Sequence, residues 1–238
     1  MSGPREESTA HGGVRTFLKE NSLSLFFFAI FLVALAGQAV AGHSLFNEEQ
    51  AQHGEPTISL WRYLSTSDFG QAVTENWQSE YLQFALFALA TVWLLQKGSS
   101  ESKELDKSGT ESDEEQKLGA HASEESPRWA KVGGVRTTIY SNSLAIVMAV
   151  VFFASWFAQS VNGWTVLNDE QATHGESAVS WWSYVGTSDF WEATLQNWQS
   201  EFLAVGSFAV LAIYLRQRGS PESKPVGASI RDSTGQEG

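Results

Sequence analysis

The 238-residue chain contains no cysteine, which excludes a disulfide framework, a thiolate metal site and a thiol nucleophile. Positive charge is scarce: 15 Lys and Arg stand against 27 Asp and Glu, a formal net charge of −12. A nucleic-acid partner requires a basic stripe, and there is none. A basic patch for anionic lipid is also missing, apart from short flanks of the apolar runs. Nor is there a phosphate-binding glycine loop, a nucleophile elbow or an HExxH motif. Gly12-Gly13 and Gly133-Gly134 read as flexible entries to the segments that follow.

What is present is one unit written twice. Asn76-Trp77-Gln78-Ser79-Glu80 returns as Asn197-Trp198-Gln199-Ser200-Glu201, and the offset of 121 holds without a gap from Gly12-Gly13-Val14-Arg15 to Glu101-Ser102-Lys103. The apolar stretches diverge between the copies, as Leu25-Phe26-Phe27-Phe28 does from Ile146-Val147-Met148-Ala149. The polar and aromatic segment between them keeps Asn47/Asn168, Glu49/Glu170, Gln50/Gln171, His53/His174, Trp61/Trp182, Tyr63/Tyr184 and Ser67-Asp68-Phe69/Ser188-Asp189-Phe190. The demanding part of the unit lies in that segment.

Residues 22–42 and 143–163 carry no charge, and each is about 20 long, enough to cross a hydrocarbon core of ~30 Å. Residues 81–96 and 202–215 are also uncharged but shorter. Trp77, Tyr81 and Trp93 flank the first of these as interfacial aromatics do. The pattern predicts an all-α membrane protein with four transmembrane helices, arranged as two tandem, parallel-oriented hairpins. The first two-span repeat covers 13–98 and the second 131–218, with a disordered acidic linker at 99–130 and disordered tails at 1–12 and 219–238.

Orientation follows from basic residues in short loops. Arg15, Lys19, Lys97, Lys103, Lys131, Arg136, Arg216, Arg218 and Lys224 all fall on one side, whereas loops 43–80 and 164–201 hold a single base, Arg62. Both termini and the linker are thus expected in the cytoplasm and both loops outside, with a pseudo-two-fold axis along the membrane normal. The first apolar run, with its basic flank and Ala39-Val40-Ala41, also resembles a cleavable secretory signal. Its counterpart, Ser160-Val161-Asn162, lies mid-chain and argues against cleavage.

Each loop carries its own plan. Asn21 or Ser22 is expected to cap the first span. Asn47-Glu48-Glu49-Gln50 and Asn168-Asp169-Glu170-Gln171 read as capped helix starts, stopped at Gly54 and Gly175. The aromatic stretches 58–64 and 179–185 suit the headgroup layer. A second cap at Thr66-Ser67-Asp68 and Thr187-Ser188-Asp189 begins a helix expected to run to Gly98 and Gly219, about 29 residues and ~43 Å.

Glu49 and His53, like Glu170 and His174, share a helical face; brought together they would hold a divalent ion such as zinc, and kept apart they are a solvated helix start. Asn76, Gln78 and Glu80, with Asn197, Gln199 and Glu201, and Asp68 with Asp189, form a polar set at the membrane edge. Such a set serves a ligand or ion path, or satisfies the backbone of the folded loop. No residue is assigned a catalytic role. Gln38 and Gln159 read as interhelical glue, and Gly37/Ala41 and Ala154/Ala158 as small-xxx-small contacts.

With Asn-Trp-Gln-Ser-Glu-aromatic-Leu, the Ser-Asp-Phe before it and the Gly-Ser-x-Glu-Ser-Lys closing each half, the chain resembles an uncharacterised family of small bacterial integral membrane proteins, a domain of unknown function. The resemblance covers 15–103 and 136–224 and implies a bacterial cytoplasmic-membrane location, but no activity, substrate or functional residues. The residues themselves favour a non-enzymatic outer-face binding or scaffold module. Its partners would be the bilayer and a second copy or an envelope protein. Small-cation or proton transport along the repeat interface is one alternative. A metal-dependent enzyme using the Glu and His pairs, with a divalent metal as cofactor, is another.

Overall fold

A computed structural model of the chain describes residues 10–231. Most of the first expected tail and part of the second, positions 1–9 and 232–238, lie outside the described residues. Among those described, the chain is helical with no strand. The elements are α1 (Ala10–Glu20), α2 (Ser22–Gln52), α3 (Leu60–Tyr63), α4 (Ser67–Trp93), α5 (Arg128–Lys131), α6 (Gly134–Ser141), α7 (Ser143–Thr173), α8 (Trp181–Val185) and α9 (Ser188–Tyr214), with a 3₁₀ turn at Gly119–His121. Long helix, short helix, long helix thus recurs at the offset of the sequence repeat.

Among the described residues, α2 and α7 are the two helices long and apolar enough to cross a membrane. The other two long helices spend their first halves on polar residues. Their apolar parts within the helix, 81–93 and 202–214, are about 13 residues and ~20 Å, short of a ~30 Å core.

The chain divides between Phe69 and Gly70 into two compact units. The division falls in the first turn of α4, so the long second helix of the first repeat belongs to the unit that holds the second repeat.

Asn47 does not start a helix. α2 runs through it to Gln52, because a helix already propagating needs no new nucleus. Its side chain instead works sideways on the loop: Asn47 Oδ1 accepts from the Ile58 N–H at 2.8 Å and Nδ2 donates to the Ile58 carbonyl at 3.0 Å. Asn168 does the same to Val179, at 2.8 and 3.2 Å. Each clamp has a ring beside it, His43 Nε2 on the Ile58 carbonyl at 2.7 Å and Trp164 Nε1 on the Val179 carbonyl at 2.8 Å. Asn21 also departs from expectation: its side chain caps nothing and reaches back to the Phe17 carbonyl at 2.8 Å. α1 leads almost directly into α2, which leaves little open helix end to cap.

The stops at Gly54 and Gly175 are where the sequence puts them. Both have left-handed φ, +74° and +72°. Glu55 N–H bonds the Gln50 carbonyl and Gly54 N–H that of Ala51, a pairing repeated by Glu176 with Gln171 and Gly175 with Ala172. That is the paired closure of a Schellman end.

Thr66 Oγ1 accepts from the Phe69 N–H and donates to the Tyr63 carbonyl, and Thr187 does likewise with Phe190 and Tyr184. These threonines begin α4 and α9. Thr187→Ala is expected to lower stability by about 1 kcal/mol, with Thr187→Ser nearly neutral; thermal unfolding in detergent would measure both. α4 and α9 end at Trp93 and Tyr214, before the glycines expected to stop them. The reason lies in the closing motif: the N–H groups of Gln96 and Gln217 bond Ser102 and Ser223 Oγ, both at 2.8 Å, rather than helix carbonyls. Gly98 and Gly219, at φ +82° and +84°, sit in that turn.

Candidate functional site

Within the unit that begins at Gly70, α7 buries a polar stripe, Ser155, Gln159, Ser160 and Gly163, whose spacing puts them on one helical face. α4 lies close against it. A Cβ on Gly70 would sit 2.7 Å from Asn162 Nδ2, and one on Gly163 would sit 2.1 Å from Tyr184 Oη and 3.4 Å from Gln71 Cδ. The same Gly–Tyr seat recurs in the other unit, where a Cβ on Gly42 would lie 2.3 Å from Tyr63 Oη. A Cβ on Gly37, by contrast, would meet no described atom within 4 Å.

Inside this seam Gln71 Nε2 donates to Glu75 Oε1 at 2.8 Å. Partial burial pushes the Glu75 carboxyl above its ordinary range; the Gln71 bond pulls it back, the Asp189 charge pushes it further up, and the Gln159 side chain opposes. Tyr184, 1% exposed, is pushed up to about 12 by burial and by the charges of Asp189 and Glu75. Gln159 is also 1% exposed, and its Oε1 has no hydrogen-bond partner.

One turn along α4, Gln78 is fully buried: its Oε1 accepts from Trp198 Nε1 at 2.7 Å and its Nε2 has no partner. Trp198 belongs to an aromatic cluster around Trp156, with ring centroids 6.0 Å to Trp198, 6.0 Å to Phe190 and 5.6 Å to Phe152. The Asn-Trp-Gln-Ser-Glu motifs of the two copies therefore meet through Gln78 and Trp198.

The remaining site candidates divide. Asn76 and Asn197 are spent on their own helices, bonding the carbonyls of Ala72 and Ala193. Glu80 and Glu201 come near each other, since burial first and then the Glu201 charge raise the Glu80 carboxyl. Gln199 is exposed. Asp68 and Asp189 occupy the first turns of α4 and α9, where acids complement the helix dipole. Glu49, His53, Glu170 and His174 are all exposed. His53 Nδ1 and His174 Nδ1 donate to the backbone carbonyls of Glu49 and Glu170, both at 2.9 Å. Among the described residues no three His, Asp or Glu side chains gather as a metal site.

At the far end of α4 and α9 the two closing motifs meet. Ser100 Oγ donates to the Glu222 carbonyl at 3.0 Å, and the Glu222 side chain acts on the Glu101 carboxyl. Burial, then the Glu222 charge, raises the Glu101 carboxyl. A cavity of about 290 Å³ is lined by Gln83, Phe87, Glu101, Ala204 and Phe208.

Glu75, Glu80 and Glu101 all bind their protons more tightly folded than unfolded, so their contribution to stability is present at low pH and lost as pH rises through the raised values. Glu111 runs the other way: its hydrogen bond from Lys103 lowers it, and that small contribution is lost as pH falls. Unfolding temperature measured against pH should therefore decline on the alkaline side of the carboxylate range, and Glu101→Gln should flatten the decline.

The sequence reading passed over Glu75 because the copies differ there. Its counterpart is Gln196, that of Gln71 is Glu192 and that of Asn162 is Ala41. The available signal was an i,i+4 Gln and Glu pair whose order is exchanged between the copies.

Residues 14–236 match a family described as a domain of unknown function, DUF6766. The chain belongs to that family. No curated protein and no solved structure matches it. The DUF6766 match takes in both copies of the unit, including the Glu75 seam and both closing turns.

Proposed function

We propose that this DUF6766 chain is a four-span protein of the bacterial cytoplasmic membrane, with both termini and the linker inside, whose two rigid outer loops form a non-enzymatic binding or scaffold surface. α2 and α7 supply two spans, and the uncharged second halves of α4 and α9 with the residues that follow them supply the others.

The observation that carries this reading is the use made of the residues both copies keep. Asn47 and Asn168 clamp the loop backbone, Tyr63 and Tyr184 lie on Gly42 and Gly163, and Thr66 and Thr187 cap the next helix. These are holding roles, and none leaves a nucleophile or acid–base pair poised for reaction. The loops they hold display Trp61 and Trp182, 81% and 78% exposed at matching positions. A Trp61→Ala, Trp182→Ala double variant should insert and fold as the parent does but lose its cellular phenotype or capture of an envelope partner. An unchanged phenotype would count against the scaffold. A Glu80→Gln, Glu201→Gln chain that folds normally yet loses the phenotype would point to chemistry instead.

A second reading, passage of a small cation or proton along α4 and α9, draws on the paired acids. Glu101, acted on by Glu222, lines the cavity with Gln83 and Phe87, and Glu80, acted on by Glu201, lies one helical turn before Gln83. Flux through reconstituted liposomes tests it; none above that of empty vesicles would end it.

A further inference from the structure

Along the facing sides of α4 and α9 the two copies meet position against position. The cavity of about 290 Å³ is lined by Gln83, Phe84 and Phe87 of one helix and by Ala204, Val205 and Phe208 of the other. Each of the second three stands 121 positions after one of the first, the offset of the repeat. Ala204 and Val205 are smaller than the Gln83 and Phe84 they answer, which leaves the space. Phe84 and Phe208 are each about half exposed, so the cavity is open to entry. The remaining lining residue is Glu101, from the first closing motif; its counterpart Glu222 does not line the cavity. Glu101 and Phe87 also line a second cavity of about 210 Å³, toward Ala90 and Leu94, so apolar room extends from the carboxylate along α4. The Glu101 carboxylate is partly exposed and weakly engaged. Ser100 Oγ reaches its Oε1 at 3.3 Å but the Glu222 carbonyl at 3.0 Å, and a hydroxyl has one proton to give. Lys103, two residues on, is occupied by the Gly109 carbonyl and by Glu111. Among the described residues no base lines either cavity.

We propose that this cavity binds an organic cation with apolar substituents, its positive centre at the Glu101 carboxylate and its body against Phe84, Phe87 and Phe208. The wall is aromatic and aliphatic with a few polar groups, Glu101 and Gln83, which is the make-up of a small-molecule site. An anion is repelled by the carboxylate. An inorganic cation needs several oxygen ligands, and only Gln83 and Glu101 bring side-chain oxygens to the lining. A neutral chain such as a lipid tail fills the space but leaves the carboxylate without a counter-charge. An alkyl or aryl ammonium meets both demands, because its apolar groups fill the cavity while the carboxylate and the phenyl faces attract its charge. The inference rests neither on the outer-loop scaffold nor on ion flux, since binding requires neither.

Equilibrium binding of radiolabelled benzyltrimethylammonium to the full chain in phosphatidylcholine nanodiscs, against empty nanodiscs and at a pH above the carboxylate range, tests the site. Saturable binding of one ion per chain is expected, and neopentylbenzene, the uncharged isostere, should not displace it. Glu101→Gln should weaken binding about tenfold or more. Ala204→Phe, which fills the cavity and keeps the carboxylate, should abolish it. Glu125→Gln, at an exposed acid of the linker, should bind as the parent does. No saturable binding above that of empty nanodiscs, or undiminished binding by Glu101→Gln, overturns the proposal. Displacement by neopentylbenzene also overturns it, and shows an apolar cavity of the kind a lipid tail fills. Should the variants not fold, the comparison of the two isosteres on the parent chain decides.

Discussion

Gly163→Ala is expected to destabilise the chain by about 1–3 kcal/mol, the range for forcing extra atoms into a packed site. The added Cβ would fall 2.1 Å from Tyr184 Oη and 2.9 Å from Cζ, and Tyr184 is too buried to swing aside. Gly206→Ala, in α9 where no described atom lies within 4 Å, should instead be stabilising by about 0.5–1 kcal/mol. Adding Tyr184→Phe to Gly163→Ala should recover part of the loss, because the closest clashing atom is then gone. Neighbouring sites in contact show such non-additivity and distant ones do not. A Gly163→Ala chain as stable as the parent would mean that Tyr184 does not rest on α7.

The second large effect is expected at the loop clamp. Asn168→Ala removes both bonds to Val179 and leaves its backbone N–H part-buried without a partner, a loss of about 1–3 kcal/mol. Asn168→Asp keeps the acceptor and drops the donor, so it should fall between the parent and the alanine variant. Asn47→Ala should behave alike, because Asn47 holds Ile58 by the same two bonds. Hydrogen exchange confined to 175–186 would show that the clamp orders the loop; no change in exchange there would show that it does not.

These two sites also show how far the residues could be read without coordinates. Helix stops at Gly54 and Gly175 and starts at Thr66 and Thr187 were legible, because each depends on local chemistry, a left-handed φ or a side-chain oxygen three residues before an open N–H. Asn47 departs from the expected helix start for a physical reason. An Asn followed by acids has the composition of a helix start, and only the long-range bond to Ile58, eleven residues on, shows that it serves the loop instead. The helix ends near Gly98 and Gly219 were missed because Ser102 and Ser223 compete for the backbone from beyond the glycine.

The Glu75 seam was less legible still. Comparing the two copies favours positions that stayed the same, whereas Gln71, Glu75 and Asn162 of this seam diverged, and Glu75 and Gln159 stand more than eighty residues apart in sequence. Gln159 reads from the sequence as interhelical glue, but its burial and its unpaired oxygen are tertiary facts. The retained Glu49, His53, Glu170 and His174 were conspicuous in the sequence, yet they are exposed, with each imidazole tied to its own helix backbone.

The account depends on both outer loops lying on the same face of the membrane, opposite the linker, and a chain without cysteine allows that to be read directly. Single cysteines at Glu55, Glu176 and Glu114, all exposed positions, would be treated with a membrane-impermeant maleimide on intact cells. Labelling at 55 and 176 but not at 114, with 114 reacting only after lysis, is the expected result. A chain that labels at 114 in intact cells, or at only one of the two loop positions, contradicts the parallel hairpins and the outer-face function built on them.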